Sequence, residues 1–187
     1  NTNGIRIAQE PGFVKQLASA GHQIRITSRD SAKAAALAAT HANTRAVPAA
    51  EALADSDVVI LATGYADALP ALQSLGDLSG RIVIDISNPV SADYMALSIG
   101  HTTSAAEEIA AALPGAEVVK AFNTVFAQVL AGGGDFGNGR RVSVFIASDS
   151  ERARQTVAAL VDSIGFKPVF AGGLKNARYL EPLGGLN

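Results

Sequence analysis

The first residues of this chain that combine toward a chemistry are Thr27-Ser28-Arg29-Asp30, with Lys33 one helical turn further on. A hydroxyl, a guanidinium and an ammonium in this order form a donor set suited to a phosphate dianion. Arg forks onto two oxygens, while Ser and Lys supply further donors. Asp30 offsets part of the charge, but it stands where a helix N-cap belongs, so its carboxylate should turn to backbone amides. The same Ser-Arg-Asp run also makes an ordinary solvated turn, and these residues alone leave both readings open.

Other reactive side chains are scattered. His22 follows a helix-ending glycine, His41 lies in a polar loop and His101 in a Gly-His-Thr-Thr turn; none has metal-ligand spacing, and no metal is expected. Ser28 is not set in a G-x-S-x-G elbow, and there is no cysteine to act as a thiolate. Tyr65 after an apolar run suits stacking on a ring or packing against the core. Asn88 before Pro89 suits a cofactor hydrogen bond or a turn. Lys120 suits a structural pair at a strand end, or a reactive amine. Glu107 and Glu108 read as an ordinary first helical turn, and Arg140-Arg141 as exposed. No catalytic acid, base or nucleophile is therefore expected. That scarcity fits a protein whose cofactor carries the reaction while the chain supplies position and excludes water.

The elements that must position these residues are legible from periodicity. Short apolar runs at Ile5–Ala8, Gln23–Thr27, Asp57–Ala62, Arg81–Ile86, Glu117–Ala121, Val142–Ala147 and Lys167–Phe170 read as strands. Two of them, Asp57–Ala62 and Arg81–Ile86, are almost continuously β-branched, as in strands buried on both faces of a parallel sheet. Between the runs lie helical patterns. Phe13–Ala20 is stopped by Gly21, Ser31–Ala39 follows the N-cap Asp30, a Ser104…Glu107 capping box opens a helix to Leu113, and Asp149–Ile164 is closed by Gly165. Ala131–Gly139 reads as a glycine-rich surface loop. The alternation predicts an α/β fold, a doubly wound and mostly parallel Rossmann-like sheet.

Length and composition narrow the function further. The chain has 187 residues, 48% hydrophobic and 17% charged, so a buried core is expected and one domain over 1–187. Fifteen basic against seventeen acidic residues give a net charge of −2 with no polybasic run, which argues against nucleic acid or an anionic membrane as partner. The longest apolar stretch falls far short of a membrane span and no signal peptide is visible, so a cytoplasmic protein is expected. Residues 176–187 begin an apolar helical pattern that stops abruptly. They read as the start of a C-terminal helical extension, cut short and in contact with a second subunit of a homodimer.

In a doubly wound sheet the ligand lies at the carboxyl ends of the strands, near the point where strand order reverses. An NAD-binding fold places Asp or Glu after the second strand; Ser28, Arg29 and Lys33 there point instead to the 2′-phosphate of NADP(H). The first turn departs from the pattern. A dinucleotide fingerprint needs G-x-G-x-x-G, whereas the chain reads Ile5-Arg6-Ile7-Ala8-Gln9-Glu10-Pro11-Gly12-Phe13, with a carboxylate where a pyrophosphate should sit. The amides of Gly12 and Phe13 are left to meet an anion at the helix N-terminus. Either a piece of loop is absent from the sequence or the phosphate clamp has been lost.

Several strings together resemble one family. Gly80-Arg81-Ile82-Val83-Ile84-Asp85-Ile86-Ser87-Asn88-Pro89, Val118-Val119-Lys120-Ala121-Phe122-Asn123-Thr124 and the run from Ala171 to Leu183 are similar to segments of the NADPH-dependent reductases of the deazaflavin coenzyme F-420. With Ala20-Gly21-His22 and Ser28-Arg29, the resemblance runs from about Ile5 to Leu183. The oxidoreductase domain of membrane ferric reductases belongs to the same wider group. The resemblance implies a Rossmann domain with Ser28, Arg29 and Lys33 on the 2′-phosphate, and Ala62, Thr63 and Gly64 along the cofactor, where many relatives carry proline in place of Gly64. It implies Asn88, Pro89, Ala121, Phe122 and Asn123 around the nicotinamide and its ribose, and Asn176, Arg178 and Glu181 shaping the acceptor pocket. The activity implied is direct hydride transfer between NADP(H) and a deazaflavin or flavin, a small-molecule redox acceptor. The departures are Glu10 in the place of the third fingerprint glycine and the missing final apolar segment. The rival is a non-catalytic NADP-binding sensor or interaction module with a degraded phosphate loop. A two-domain hydroxyacid dehydrogenase would need a large helical C-terminal domain that this length lacks.

Overall fold

The fold is taken from a computed structural model that describes residues 5–8, 10–91, 93 and 96–186, with the backbone alone for 5–8. Gln9 in the first turn and Asn187 at the chain end lie outside the described residues. Eight strands form one sheet: β1 (Ile5–Ala8), β2 (Ile24–Thr27), β3 (Thr44–Ala46), β4 (Val58–Leu61), β5 (Ile82–Asp85), β6 (Glu117–Ala121), β7 (Ser143–Ala147) and β8 (Lys167–Phe170), in the order β3-β2-β1-β4-β5-β6-β7-β8. All neighbours are parallel except β6 and β7. The order reverses at β1, which pairs with both β2 and β4, so the crevice for a ligand opens at the carboxyl ends beside β1.

Alternate residues of the central strands enter opposite layers. Val58, Ile60, Ile82, Ile84 and Val119 join a core with Phe13, Val14 and Leu17 of α1 (Pro11–Ser19) and Val157 and Leu160 of α6 (Glu151–Ser163). Val59, Leu61, Val83 and Val118 join another with Leu72 of α3 (Tyr65–Gln73) and Ile109 of α4 (Ala105–Ala112). Burial on both faces is what the uninterrupted apolar runs require. Each such side chain contributes about 1.5–3 kcal/mol on removal from water. The remaining helices are α2 (Ser31–Ala38), α5 (Ala127–Gly132) and α7 (Ala177–Gly184).

The predicted ends are visible as caps. Asp30 accepts from the Lys33 amide at 3.0 Å, and Ser150 caps α6 through the Ala153 amide at 3.1 Å. Ser104 accepts from the Glu107 amide at 3.2 Å, but the Glu107 carboxylate is turned to the Ser104 hydroxyl and to Arg178 instead of closing a reciprocal box. Three elements escaped the sequence pattern: β3, α3 and α5. Ala131 and Gly132 belong to α5, not to a loop. Gly134, just beyond, is buried, because a Cβ there would stand 2.7 Å from Cγ of Phe166.

Candidate functional site: the carboxyl edge of the sheet

On the outer side of the crevice, β2 delivers Ser28 and Arg29 and the first turn of α2 delivers Lys33. The Ser28 hydroxyl accepts from the Asp30 amide at 3.2 Å, which shapes the turn. Arg29 reaches across to Asp67 of α3 at 3.1 Å, with side-chain exposures of 89% and 54%. Lys33 lies 3.6 Å from Asp30. The three expected residues thus share one turn, with Arg29 and Lys33 exposed and Ser28 half-buried. Asp67, which no local pattern singled out, neutralises the guanidinium from across the crevice.

At the N-terminus of α1 the geometry follows Glu10. Its carboxylate accepts from the Gly12 amide at 3.2 Å, so an anion supplied by the chain itself sits where the helix end would receive another. Gly12 is buried because α1 lies close on α5: a Cβ would come 3.2 Å from Cγ of Leu130. Phe13 points into the core, its ring edge-on to Phe122 at 4.8 Å.

The inner side is built by β4, β5 and β6, whose last register partners are Leu61, Asp85 and Lys120. Two or three residues beyond each partner, a buried polar atom stands without a hydrogen bond: Oγ1 of Thr63, Oγ of Ser87 and Oδ1 of Asn123. Ala62, Thr63 and Gly64 lead into α3, which Gly64 caps. Asn88 and Asn123 are reciprocally bonded: Asn88 Nδ2 donates to the Asn123 carbonyl and Asn123 Nδ2 to Asn88 Oδ1, both at 2.9 Å. Asn123 Nδ2 also donates to the Leu180 carbonyl of α7 at 2.7 Å. Pro89 is buried beside this pair, and the side chains of Ala121 and Phe122 belong to the core. Phe122 bends the chain out of β6 with φ at 63°, a left-handed conformation costly for a bulky residue.

The C-terminal residues expected at an acceptor pocket are engaged by the protein. Asn176 donates to the Ala171 carbonyl at 2.6 Å, and Arg178 clasps Glu107 with two bonds of 2.8 and 2.9 Å. Glu181 is wholly buried and accepts from Lys120 at 2.8 Å and from the amides of Ala105 and Ala106 at 2.9 and 3.2 Å. Lys120 also meets Asp85 at 2.7 Å, the structural pair at a strand end rather than a free amine. Burial pushes the Glu181 carboxyl up, against the pull of Lys120 and the Ala105 amide. Burial also acts to raise Glu107, but hydrogen bonds from Arg178 and Ser104 outweigh it and hold the carboxyl below its ordinary range. The Tyr65 hydroxyl donates to Glu108, and that bond with burial pushes the phenol up to about 12. His22 bonds Ser163 at the end of α6 at 2.9 Å, and burial holds the imidazole below its ordinary value. Among the described residues no cluster of His, Asp or Glu could hold a metal ion, and no helix is long and apolar enough to cross a membrane.

The chain is similar in sequence and in fold to known proteins. The chain is 34% identical to metalloreductase STEAP3 of Rattus norvegicus over 134 residues, 71% of this chain, and spans about a quarter of that protein's length. It is 28% identical to the F420-dependent NADP reductase of Methanothermobacter marburgensis, covering 92% of this chain and 83% of the relative. A solved structure of a hypothetical protein from Sinorhizobium meliloti superposes with a TM-score of 0.85 at 30% identity, covering 95% of this chain and 88% of the other. Residues 9–89 match the family described as NADP oxidoreductase, coenzyme F420-dependent. Over residues 9–89 the chain thus carries the sequence of this NADP oxidoreductase family, and the similarity to an NADP reductase extends over nearly its whole length.

Proposed function

We propose that this protein binds NADP(H) along the carboxyl edge of the sheet and passes a hydride between the nicotinamide and a flat redox acceptor of the deazaflavin or flavin type. The observation that carries the reading is the line of orphaned buried atoms, Thr63 Oγ1, Ser87 Oγ and Asn123 Oδ1, just beyond the ends of three adjacent strands. A buried hydroxyl or amide without a partner costs about 1–3 kcal/mol, which a ligand with its own polar atoms would recover.

The donor set fits the cofactor at two of its three parts. Ser28, Arg29 and Lys33 would hold the 2′-phosphate, and the Thr63, Ser87, Asn88 and Asn123 edge, with Gly64 and Pro89 beside it, would hold the nicotinamide ribose and carboxamide. The pyrophosphate lacks its glycine clamp and meets Glu10, with the Gly12 amide already engaged. When bound, NADPH supplies the hydride from C4 of its reduced ring. The chain's part is to fix the angle of that ring, keep water out and leave one face open to the acceptor. Asn176 and Arg178 would bear on the acceptor by setting the path of α7, which lies against Asn88 and Asn123. Homology to the F420-dependent NADP reductase supports a deazaflavin as acceptor. The outward stripe Tyr179, Leu183 and Leu186 supports a homodimer.

The Glu10–Gly12 contact favours one other reading, an NADP-binding module without turnover. Calorimetric titration with NADPH and NADH, followed by stopped-flow mixing of the NADPH complex with FMN or 5-deazariboflavin, separates the two. Micromolar NADPH binding, much weaker NADH binding and hydride transfer to either ring support the enzyme. Binding without transfer to either favours the module, and absence of binding overturns both.

A further inference from the structure

One fully buried charged cluster takes no part in the reading above. Lys120, Asp85 and Glu181 have no exposed side-chain surface. The three protons of the ammonium match three acceptors: Asp85 Oδ2 at 2.7 Å, Glu181 Oε1 at 2.8 Å and the Ser87 carbonyl at 2.5 Å. The other carboxylate oxygens are occupied as well, Asp85 Oδ1 by the Ser87 amide at 2.9 Å and Glu181 Oε2 by the Ala105 amide at 2.9 Å. Two negative charges face one positive charge, and the balance comes from the N-terminus of α4, whose first amides point at Glu181.

Such a cluster adds little net stability, since well-packed apolar side chains of similar volume commonly do as well. What it does supply is geometry. It ties together the end of β5, the end of β6, the start of α4 and the middle of α7, segments that are distant in sequence. Its attachments fall on the residues that frame the crevice. Ser87 is held by both its amide and its carbonyl, which leaves its hydroxyl as the free group. Asn123 donates to the Leu180 carbonyl, the residue before Glu181, which leaves Oδ1 as its free atom. Gly184, one turn on, packs so closely that a Cβ would stand 2.6 Å from Asn88 Oδ1.

We infer that Lys120 is a positioning residue: by holding Asp85, Ser87 and Glu181 at once, it sets the Ser87 hydroxyl and the Asn123 carboxamide at the height where they meet the nicotinamide end of the cofactor. The inference rests on the NADP(H) reading above, and it assigns the orientation of the ring to a group that never touches it. The adenine end, held by Ser28, Arg29 and Lys33 on the far side of β1, is independent of the cluster.

The test compares NADPH with 2′-phospho-ADP-ribose, the same molecule without its nicotinamide, by calorimetry. Glu181→Gln is the deciding variant because it keeps the shape and removes the charge that Lys120 grips. Lys120→Met/Glu181→Gln removes one charge of each sign and leaves the cluster's net charge unaltered. In both variants the affinity for 2′-phospho-ADP-ribose should stay within about twofold, while the advantage of NADPH over it falls at least tenfold and single-turnover transfer to FMN falls with it. A folded Glu181→Gln protein that keeps the NADPH advantage overturns the inference, and so does an equal loss for both ligands, which marks a general structural role. If the unaltered protein binds neither ligand, the cofactor reading itself fails and takes this inference with it. Circular dichroism and melting curves identify the folded variants.

Discussion

Arg29→Ala separates cofactor recognition from folding, and its size follows from the geometry. The guanidinium is 89% exposed and its partner Asp67 is 54% exposed, at 3.1 Å. An ion pair this open contributes about 0–1 kcal/mol, so removing it should leave the unfolding midpoint almost unaltered. Against a 2′-phosphate the same fork makes two charge-assisted bonds. At the low end of their range, suited to an exposed site, these supply about 3 kcal/mol. Releasing Asp67 costs up to about 1 kcal/mol of that. The remaining ~2 kcal/mol corresponds to roughly a 30-fold rise in the Kd for NADPH. NADH carries no 2′-phosphate, so its affinity should move by less than about twofold. Asp67→Asn works in the opposite sense. It frees the guanidinium and should tighten NADPH by up to about fivefold, an effect that vanishes in the Arg29→Ala background. Both effects should shrink as salt rises. The assay is calorimetry with each cofactor at two ionic strengths. Equal losses for NADPH and NADH on Arg29→Ala, or weaker NADPH binding by Asp67→Asn, would refute the assignment of this pair to the phosphate.

Two further outcomes are expected. Glu10→Gln keeps an oxygen for the Gly12 amide and removes the negative charge from the end of α1; NADPH and NADH should both bind about fivefold tighter, more so at low salt, and calorimetry showing no gain for either would place the pyrophosphate elsewhere. Glu107 is held below its ordinary range, so in acid the unfolded chain binds more protons than the folded one. Its contribution to stability is complete above the usual carboxylate range and is lost as pH falls through the lowered value. Arg178→Ala should flatten that acid limb, read from urea midpoints between about pH 3 and pH 7; an unaltered limb would exclude the Arg178–Glu107 pair as its source.

What could be read from the chain alone was what lies close together along it. Val58–Leu61 and Ile82–Asp85 announce strands buried on both faces because every residue in them is buried. Ser28, Arg29 and Lys33 are brought together by a single turn, so their spacing already placed them. β3 escaped because Thr44-Arg45-Ala46 has only its first residue buried, and α5 because glycines follow it directly. The glycine run was read as a loop, yet Gly134 is there for the approach of Phe166, a residue with which it shares no local pattern. The partners of the site were hidden for the same reason. Asp67 meets Arg29 from another helix, and Glu181 meets Lys120 across 61 positions of sequence. Glu181 was expected in the region that shapes an acceptor pocket; what no local pattern showed is that its carboxylate is wholly buried and bonded to Lys120 and to the amides of Ala105 and Ala106.

On the NADP(H) reading proposed above, the arrangement divides the work of binding at the adenine end from that of orienting at the nicotinamide end. At the adenine end the charged groups are exposed and already paired, so they can exchange one anionic partner for another with little cost in desolvation, and they favour a phosphate. At the nicotinamide end the free groups are neutral: two hydroxyls and a carboxamide oxygen, each buried. Charges are present one layer below, in Lys120, Asp85 and Glu181, but the ammonium and every carboxylate oxygen already have a partner within the protein. Such a layer can hold neutral groups at fixed height. Hydride transfer between two rings asks for that combination, because its rate depends on distance and angle rather than on an acid or a base. On this proposal, the ionic cluster beneath the crevice is where the demand for rigidity is met.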